Sequence, residues 1–225
     1  MPLLLLDLDD TLLDRAAAFR RWAEVFLRER GIYSARTMSR IVGVDDSGRT
    51  RRWKVLEQVR VELGVRDTLE ELLAGYEMHF PAAFDPLAPE TAAALDDARA
   101  RGWTVGVVTN GDHIQERKIV LSGVDRHIDG WIASDLVGYA KPDPEIFRIA
   151  ARQLGATLEG GWMVGDLPTT DIAGAVAAGI SSVWLHHGRE WAEVGFRPTL
   201  IAGSVPEAVD GVLSADAPAA GAAGP

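Results

Sequence analysis

The feature that most constrains this chain is an apolar run near its start that ends abruptly in acidic residues. Leu3–Leu6 is followed directly by Asp7, Asp9 and Asp10, with one leucine between the first two. A short continuous apolar run bounded by polar residues is typical of a strand covered on both faces, although periodicity alone does not exclude a helix. The run therefore predicts a buried strand with carboxylates at its end. An exposed acidic turn after an edge strand is the alternative.

Two carboxylates at the end of a buried strand need compensation. Asp7 and Asp9 would repel each other and lose hydration, and both effects raise the proton affinity of a carboxylate. A site that keeps such groups ionised supplies a cation or strong hydrogen-bond donors. The arrangement therefore predicts a metal ion, a basic side chain, or both, close to these residues.

Length and composition limit the kind of protein. A chain of 225 residues is longer than a usual domain but short for two, so one core domain with a sizeable insert is expected. Hydrophobic residues make up 47% of the chain, which is enough for a packed core. The absence of cysteine excludes disulfides, thiolate metal sites and cysteine nucleophiles.

The same composition gives expectations about location and partners. The four-leucine run is too short for a signal sequence or a membrane span and has no basic residues before it, so a cytoplasmic protein without a membrane partner is expected. A net charge of −10 argues against nucleic-acid binding, which requires a basic surface. A monomer or a homodimer is expected.

Most of the chain shows the rhythm of a parallel sheet. Short apolar runs at 104–108, 131–134, 162–164 and 182–185 alternate with amphipathic stretches, which is the βαβ pattern. The pattern predicts an α/β fold with a Rossmann-like parallel core. The strands end at Asp7, Thr109, Asp135 and Asp166, and the ligand crevice of such sheets lies beyond these ends.

Residues 14–82 break this rhythm. Four helical stretches are predicted there, at 16–30, 35–42, 51–63 and 69–80, with glycines at plausible helix ends. The domains predicted are a discontinuous catalytic core, 1–13 with 83–213, a helical cap, 14–82, and a flexible tail, 214–225, rich in alanine, glycine and proline.

The charge of the predicted cap differs from that of the remainder. Residues 14–82 contain 13 lysines and arginines against 11 acidic residues, a net charge of +2, whereas the remainder contains 10 against 22, a net charge of −12. This difference suits an anionic small molecule as substrate. The stretch 49–54 combines cations with Trp53 and could bind a phosphate or a ring, or it could be a solvated helix face.

Two further strand ends offer groups for a phosphoryl ligand. Thr109, Asn110 and Gly111 provide a hydroxyl, an amide side chain and backbone N–H groups where the chain turns. Lys141 is followed by two prolines that stiffen the approach to the next helix, which Asp143 is expected to cap. Taken alone, the tripeptide would be an ordinary turn and the lysine a solvated surface group. Beside an acidic cluster, however, a cation is required.

The fourth element contains two carboxylates, Asp166 and Asp171, which flank one strand-to-helix turn. Mg²⁺ typically takes one or two carboxylates together with waters and substrate phosphate. Asp171 could instead be a first-turn acid stabilised by the helix dipole. Thr169 or Thr170 is expected to cap the helix that follows.

Taken together in this order, the four elements resemble the motifs of the haloacid dehalogenase superfamily of hydrolases. The resemblance extends to about Leu213, and the helical insert is similar to the small helical cap of that superfamily. It implies that Asp7 is the nucleophile, which would form an aspartyl-phosphate, and that Asp9 is the general acid and base. It also implies that Thr109 and Lys141 bind the transferring phosphoryl group.

The resemblance further implies a magnesium site. The ion would be held by the carboxylates of Asp7 and Asp166 and by the backbone carbonyl of Asp9, with Asp171 in the outer shell. The predicted function is a Mg²⁺-dependent phosphatase that hydrolyses a small phosphorylated metabolite, such as a sugar phosphate or a nucleotide. The stretch from Thr109 through Gln115 and Lys118 also looks like phosphatases of this superfamily that act on such substrates.

Three alternatives stay open. A 2-haloacid dehalogenase of the superfamily does not keep the second aspartate of the first motif, which is present here as Asp9. A phosphomutase uses the same two aspartates and differs by excluding water after the first transfer. A non-catalytic phosphoacceptor or binding protein also gathers aspartates, a threonine and a lysine around Mg²⁺, and a turnover assay distinguishes it from an enzyme.

Overall fold

The computed structural model describes residues 1–215, which contain one six-stranded parallel sheet. Its strands in chain order are β1 Leu3–Leu6, β2 Thr104–Thr109, β3 Gly130–Ala133, β4 Trp162–Gly165, β5 Ser181–Leu185 and β6 Leu200–Ala202. Their order across the sheet is β3-β2-β1-β4-β5-β6. The predicted α/β class with a Rossmann-like parallel sheet is therefore confirmed.

Helices separate these strands along the chain, except that β5 and β6 are joined by a segment without a helix. The α-helices found among residues 1–215 are α1 Arg15–Glu29, α2 Ala35–Asp45, α3 Arg52–Leu63, α4 Leu69–His79, α5 Pro89–Ala100, α6 His113–Ser122, α7 Ser134–Val137, α8 Pro144–Gln153, α9 Ala173–Ala178 and α10 Val205–Ala215. Within this part of the chain, no helix combines the length and the apolar character needed to cross a membrane.

Strands β1 and β4 lie side by side at the centre of the sheet, and all of their residues are buried. Leu4 pairs with Trp162 and Leu6 with Val164. Such strands are continuously apolar because both faces of a parallel sheet are covered. The strand order reverses between β1 and β4, and the crevice at such a reversal is where open α/β sheets bind ligands.

The sixth strand was not predicted from the sequence. Strand β6 has three residues, pairs only with β5 in the described sheet, and leaves Ile201 largely exposed. A short edge strand has neither the length nor the continuous burial that marks β1. Its pattern in the sequence is therefore no stronger than that of a loop.

The described residues divide into two compact units. The core unit consists of Met1–Leu12 and the described residues from Leu87 onward, and the helical unit consists of Leu13–Pro86. The boundaries predicted from the sequence lie at 13/14 and 82/83. Of the predicted tail, Ser214 and Ala215 belong to α10, and residues 216–225 lie outside the described residues.

The helical unit has an aromatic core of its own. The ring of Trp22 in α1 lies 4.8 Å from that of Tyr76 in α4, and Tyr76 stacks on Phe80 at 4.5 Å. Helices α2 and α4 each begin with a capping box, at Ser34 and Thr68, which satisfies backbone N–H groups that a helix start leaves unpaired. This packing explains why a segment without strands forms a compact unit.

The basic residues of the helical unit are largely paired with acids of the same unit. The half-buried Arg15 guanidinium makes two 2.7 Å hydrogen bonds to the buried Asp45 carboxylate. In the stretch considered as a substrate-binding segment, Arg49 pairs with Asp46 at 2.8 Å and Arg52 pairs with its acidic partner in α4 at 3.2 Å. These ion pairs neutralise most of the cations of the unit, and the net charge of +2 for residues 14–82 is the small excess that they leave.

Candidate active site

The site begins at the carboxyl end of β1. The backbone N–H of Asp7 donates to the carbonyl of Val164 in β4 at 2.9 Å, which continues the pairing of the two strands. The Asp7 side chain is buried, and its Oδ1 atom accepts a hydrogen bond from Lys141 Nζ at 2.5 Å. The predicted nucleophile and the predicted phosphoryl-binding lysine are thus direct neighbours, although 134 positions separate them.

Asn110 fixes the backbone beside this lysine. Its Oδ1 accepts from Lys141 N at 2.8 Å, and its Nδ2 donates to the Lys141 carbonyl at 2.9 Å. This pair of hydrogen bonds joins the ends of β2 and the loop before α8. Asn110 therefore positions Lys141 in the structure, and its predicted direct contact with a phosphoryl group stays a prediction.

Asp171 approaches the same lysine from the turn after β4. Its Oδ1 lies 2.7 Å from Lys141 Nζ, and its Oδ2 accepts from Leu167 N at 2.9 Å. The π-helical turn that contains Asp171 begins at Pro168 and has no side-chain cap. The prediction that Thr169 or Thr170 caps this helix is therefore wrong, because Pro168 starts the helix earlier and Asp171 itself binds the preceding backbone N–H group.

Gly165 makes this arrangement possible. A Cβ atom at position 165 would lie 2.4 Å from both Cγ and Oδ2 of Asp171. Such a contact is far shorter than van der Waals separation, and Asp171 is buried and held on both oxygens. Only glycine at the end of β4 therefore allows the Asp171 carboxylate to lie against the strand.

We expect Gly165→Ala to displace Asp171 and to lower catalytic turnover by about 10²-fold, which is typical of a misplacement of about 1 Å in an active site. Steady-state kinetics with an aryl phosphate would measure the loss. Gly43→Ala is the matched control, because a Cβ atom there meets no atom within 4 Å. Equal activity of Gly165→Ala and the wild type would contradict this account of the glycine.

Three buried carboxylates gather at the site. Asp7, Asp166 and Asp171 each place an oxygen within 4.8 Å of the others. Burial raises the pKa of Asp7 to about 7, with Lys141 opposing and Asp171 adding to the rise. Burial likewise raises the pKa of Asp166 to about 8, and the charges of Asp171 and Asp7 raise it further. In the absence of a cation, the cluster thus resists full ionisation.

Lys141 compensates only part of this negative charge. Burial disfavours its ammonium, but the carboxylates of Asp171 and Asp7 outweigh that cost, so the pKa of Lys141 lies above its usual value. Together with Arg189, which lies 3.3 Å from Asp166 Oδ2, Lys141 sets two cations against three carboxylates and leaves a net charge of −1 when all groups are ionised. A buried excess of this kind calls for a further cation.

The donor set fits Mg²⁺. All three clustered groups are carboxylates, and oxygen is the ligand that hard divalent cations prefer. Asp166 Oδ1 is buried and has no hydrogen-bond partner among the described residues, so an oxygen that an ion could use is available. The structure brings Asp171 into the same cluster as Asp7 and Asp166. The predicted metal-binding group of Asp9 is its backbone carbonyl, and this role stays a prediction.

The side chain of Asp9 points to a different set of partners. Lys118 Nζ lies 2.9 and 2.7 Å from its two carboxylate oxygens, and Gln115 Nε2 lies 3.0 Å from Oδ2. The same Gln115 nitrogen donates to the hydroxyl of Thr109 at 2.6 Å. Two residues of α6 thus connect the predicted acid and base with a predicted phosphoryl-binding hydroxyl.

Sequence reasoning missed several groups that hold the site. Arg189 donates to the Asp166 carbonyl at 2.7 Å and lies 3.3 Å from Asp166 Oδ2. Trp184 Nε1 donates to the same carbonyl at 2.9 Å. His187 Nε2 lies 2.7 Å from the carbonyl of Asp10. Arg189 and His187 follow β5 in an irregular segment without a periodic signal. The position of His187 near a strand end is visible in the sequence, but without a defined spacing it gives the residue no role, and no pattern marks Arg189.

The fold and the site together define a class of enzyme. A parallel α/β core gathers carboxylates and a lysine at its switch point, and a helical unit is inserted in the sequence after the first strand. The chain belongs to the haloacid dehalogenase-like hydrolases, whose family pattern it matches over residues 1–179. It is an enzyme of the phosphatase type within this family.

Known proteins resemble the chain over nearly its whole length. A phosphoserine phosphatase from Thermus thermophilus is 32% identical over 92% of this chain and 97% of its own. The HAD-hydrolase YfnB from Bacillus subtilis shares the fold with a TM-score of 0.75 at 21% identity, over 94% of this chain and 98% of its own. A 2-haloacid dehalogenase from Pseudomonas syringae superposes with a TM-score of 0.64 at 25% identity, over 96% and 99% of the two chains.

Proposed function

We propose that this protein is a Mg²⁺-dependent phosphatase that hydrolyses a small phosphorylated metabolite through an aspartyl-phosphate intermediate. The observation that supports this most strongly is the cluster of Asp7, Asp166 and Asp171 around Lys141 at the switch point of the sheet. The relative from Thermus thermophilus is a phosphoserine phosphatase, and the YfnB structure was bound to magnesium.

Asp7 is the proposed nucleophile. A carboxylate attacks a phosphate monoester poorly because both groups are negative, so cations must screen the repulsion and hold the reactants in line. Lys141, in contact with Asp7, supplies one such charge. Mg²⁺, held by the carboxylates of Asp7 and Asp166 and the backbone carbonyl of Asp9, with Asp171 supporting, would supply charge neutralisation when bound.

Asp9 and Thr109 have complementary roles in this proposal. Asp9 gives a proton to the departing alcohol and later takes one from the water that hydrolyses the aspartyl-phosphate. The Thr109 hydroxyl and the Lys141 ammonium bind the oxygens of the transferring phosphoryl group. Both Thr109 and Lys141 are buried, so their hydrogen bonds to an anion form in a medium of low dielectric constant and are strong.

The two enzymatic alternatives differ from a phosphatase in what they release. A 2-haloacid dehalogenase has a similar fold, but Asp9 is the aspartate that a phosphatase uses to protonate its leaving group and that dehalogenases lack. A phosphomutase would use Asp7 and Asp9 without releasing phosphate. The presence of Asp9 therefore favours a phosphatase or a phosphomutase over a dehalogenase.

Release of inorganic phosphate tests the proposed function. The purified full chain is expected to hydrolyse p-nitrophenyl phosphate with added Mg²⁺ and to release no halide from 2-chloropropionate. A screen of phosphoserine, phosphoglycolate, sugar phosphates and nucleotides then defines the substrate class. Halide release without phosphatase activity would support the dehalogenase, and transfer between sugar positions without free phosphate would support the mutase.

We expect Asp9→Asn to slow hydrolysis most for substrates with poor leaving groups. General acid catalysis contributes about 10²- to 10⁴-fold, so the loss in kcat/KM, which reports the step in which the alcohol leaves, should reach this range for alkyl phosphates. It should be much smaller for p-nitrophenyl phosphate, whose leaving group needs little protonation. An equal loss on alkyl and aryl phosphates would count against the role of Asp9.

Location and partners remain proposals as well. The chain is proposed to act in the cytoplasm on an anionic small molecule, without nucleic-acid or membrane partners, as a monomer or a homodimer. The net charge of −10 supports the exclusion of nucleic acid. Size-exclusion chromatography with light scattering would give the oligomeric state of the purified chain.

A further inference from the structure

Helix α6 carries two polar side chains that are almost completely buried. Gln115 and Lys118 are 4% and 3% exposed. Lysine is rarely buried unless it is paired, and burying an amide without hydrogen bonds is unfavourable. Positions 115 and 118 are three apart and therefore lie on the same face of the helix. Both side chains need specific partners, and both find them in the candidate active site.

Lys118 binds both oxygens of one carboxylate. Its Nζ atom lies 2.9 Å from Asp9 Oδ1 and 2.7 Å from Asp9 Oδ2. An ammonium group is only a donor, so both oxygens of Asp9 act as acceptors in this contact. The carbonyl of Lys118 is in turn bound by the Ser122 hydroxyl at 2.7 Å. Contact with both oxygens restricts rotation of the Asp9 carboxylate about its last bond.

Gln115 connects this carboxylate to Thr109. Its Nε2 atom lies 3.0 Å from Asp9 Oδ2 and 2.6 Å from Thr109 Oγ1. The opposite orientation of the amide would place its oxygen against the Asp9 carboxylate, so the nitrogen is assigned to this position. Because the amide donates to Thr109 Oγ1, the hydroxyl hydrogen of Thr109 is left to point elsewhere. It can therefore donate to an oxygen of the phosphoryl group.

The turn between β2 and α6 is shaped around Gln115. Gly111 has a φ of +146°, and a Cβ atom there would lie 2.8 Å from Gln115 Cγ. Asp112 caps α6 by accepting from Ile114 N at 2.9 Å. The turn thus places the Gln115 side chain directly against Gly111.

We propose that Gln115 and Lys118 are positioning residues of the phosphatase reaction. Lys118 orients the carboxyl group of Asp9 toward the departing alcohol, and Gln115 fixes the direction of the Thr109 hydroxyl toward the phosphoryl group. The inference rests on the proposed function, because Asp9 and Thr109 have these roles only in a phosphatase. It adds two residues of α6 that act through Asp9 and Thr109 without contacting the substrate.

The two residues should affect different kinetic constants. Lys118→Met is expected to lower kcat/KM about tenfold more with phenyl phosphate than with p-nitrophenyl phosphate, since kcat/KM reports the attack of Asp7 and only the poorer leaving group needs Asp9 as the acid in that step. Added to Asp9→Asn, it should cause no further loss. Lys118→Arg keeps the charge but shifts the donors, so a smaller loss confined to phenyl phosphate is expected.

Gln115→Leu should act on phosphate binding. We expect it to raise KM about tenfold on both aryl phosphates, and to raise the inhibition constant of inorganic phosphate by a similar factor, because the Thr109 hydroxyl can then turn away. Gln153→Leu, an exposed position in α8, is the matched control and should equal the wild type. The inhibition constant of phosphate reports binding independently of turnover.

Several outcomes would overturn the inference. A loss with Lys118→Met that is equal on both aryl phosphates, or that multiplies the loss of Asp9→Asn, would assign Lys118 a structural role. An unchanged inhibition constant of phosphate in Gln115→Leu would likewise assign Gln115 a structural role only. If Lys118→Met does not fold in thermal melts, Lys118→Arg decides, and a uniform loss or none overturns the proposal. An inactive wild type would instead refute the proposed function.

Discussion

Replacing Asp7 by Asn is expected to lower kcat for p-nitrophenyl phosphate by at least about 10⁴-fold, which is the order of loss seen when a nucleophile is removed. The amide of Asn has the shape of the carboxyl group but cannot attack phosphorus to form the acyl-phosphate. Phosphate release at saturating Mg²⁺ measures the effect. Residual activity above about 1% of the wild type would contradict a nucleophilic role for Asp7.

The same substitution should leave the fold intact. Burial raises the pKa of Asp7 to about 7, so its ionised form is unfavourable in the metal-free protein at pH 8. Asn removes this charge, and Lys141 keeps its ion pair with Asp171 at 2.7 Å. We therefore expect the melting temperature of Asp7→Asn without Mg²⁺ to equal or exceed that of the wild type at this pH. Asp210→Asn, an exposed position in α10, is the control for both assays.

The central strands were predictable because their physical cause is visible in the sequence. Leu3–Leu6 and the run at 162–164 are continuously apolar because both faces of the sheet are covered. Their parallel arrangement brings the residues that follow them to one edge, so the proximity of Asp7 and Asp166 followed from topology. Strand β6 has too few buried residues to give such a signal.

The finer geometry of the site depended on contacts that no local pattern contains. Asp171 joins the cluster because Gly165 leaves it space and because the helix begins at Pro168. The ion pair between Lys118 and Asp9 joins residues 109 positions apart. The spacing of Gln115 and Lys118 indicates one helix face, but their burial becomes evident only once both side chains reach Asp9, beyond the end of β1.

Removal of Mg²⁺ should abolish activity and make the stability of the protein depend on pH. In the unfolded chain, Asp7 and Asp166 titrate near 3.8, whereas in the folded, metal-free protein their pKa values are about 7 and about 8. At any pH between 3.8 and about 8, the folded state therefore binds more protons than the unfolded state. The free energy of unfolding must then fall as pH rises through this window and level off above it.

A divalent cation should oppose this loss. Mg²⁺ binds the folded state and competes with protons for the same carboxylates, so its stabilising effect grows as the protons leave. We expect the melting temperature of the EDTA-treated protein to be lower at about pH 9 than at about pH 6. We also expect Mg²⁺ to raise it more at the higher pH. Sodium chloride at equal ionic strength is the control for general screening.

The variant Asp166→Asn tests whether the metal site, rather than other titrating groups, causes this dependence of the melting temperature on pH. The variant lacks the carboxylate with the higher of the two raised pKa values, so its melting temperature should depend less on pH. Mg²⁺ should also raise its melting temperature less than that of the wild type. Its phosphatase activity should fall with the loss of Mg²⁺ binding. A Mg²⁺ shift that is independent of pH, or that is unchanged in Asp166→Asn, would mean that the ion binds elsewhere. Because one set of carboxylates governs all three measurements, activity, metal affinity and metal-free stability must change together.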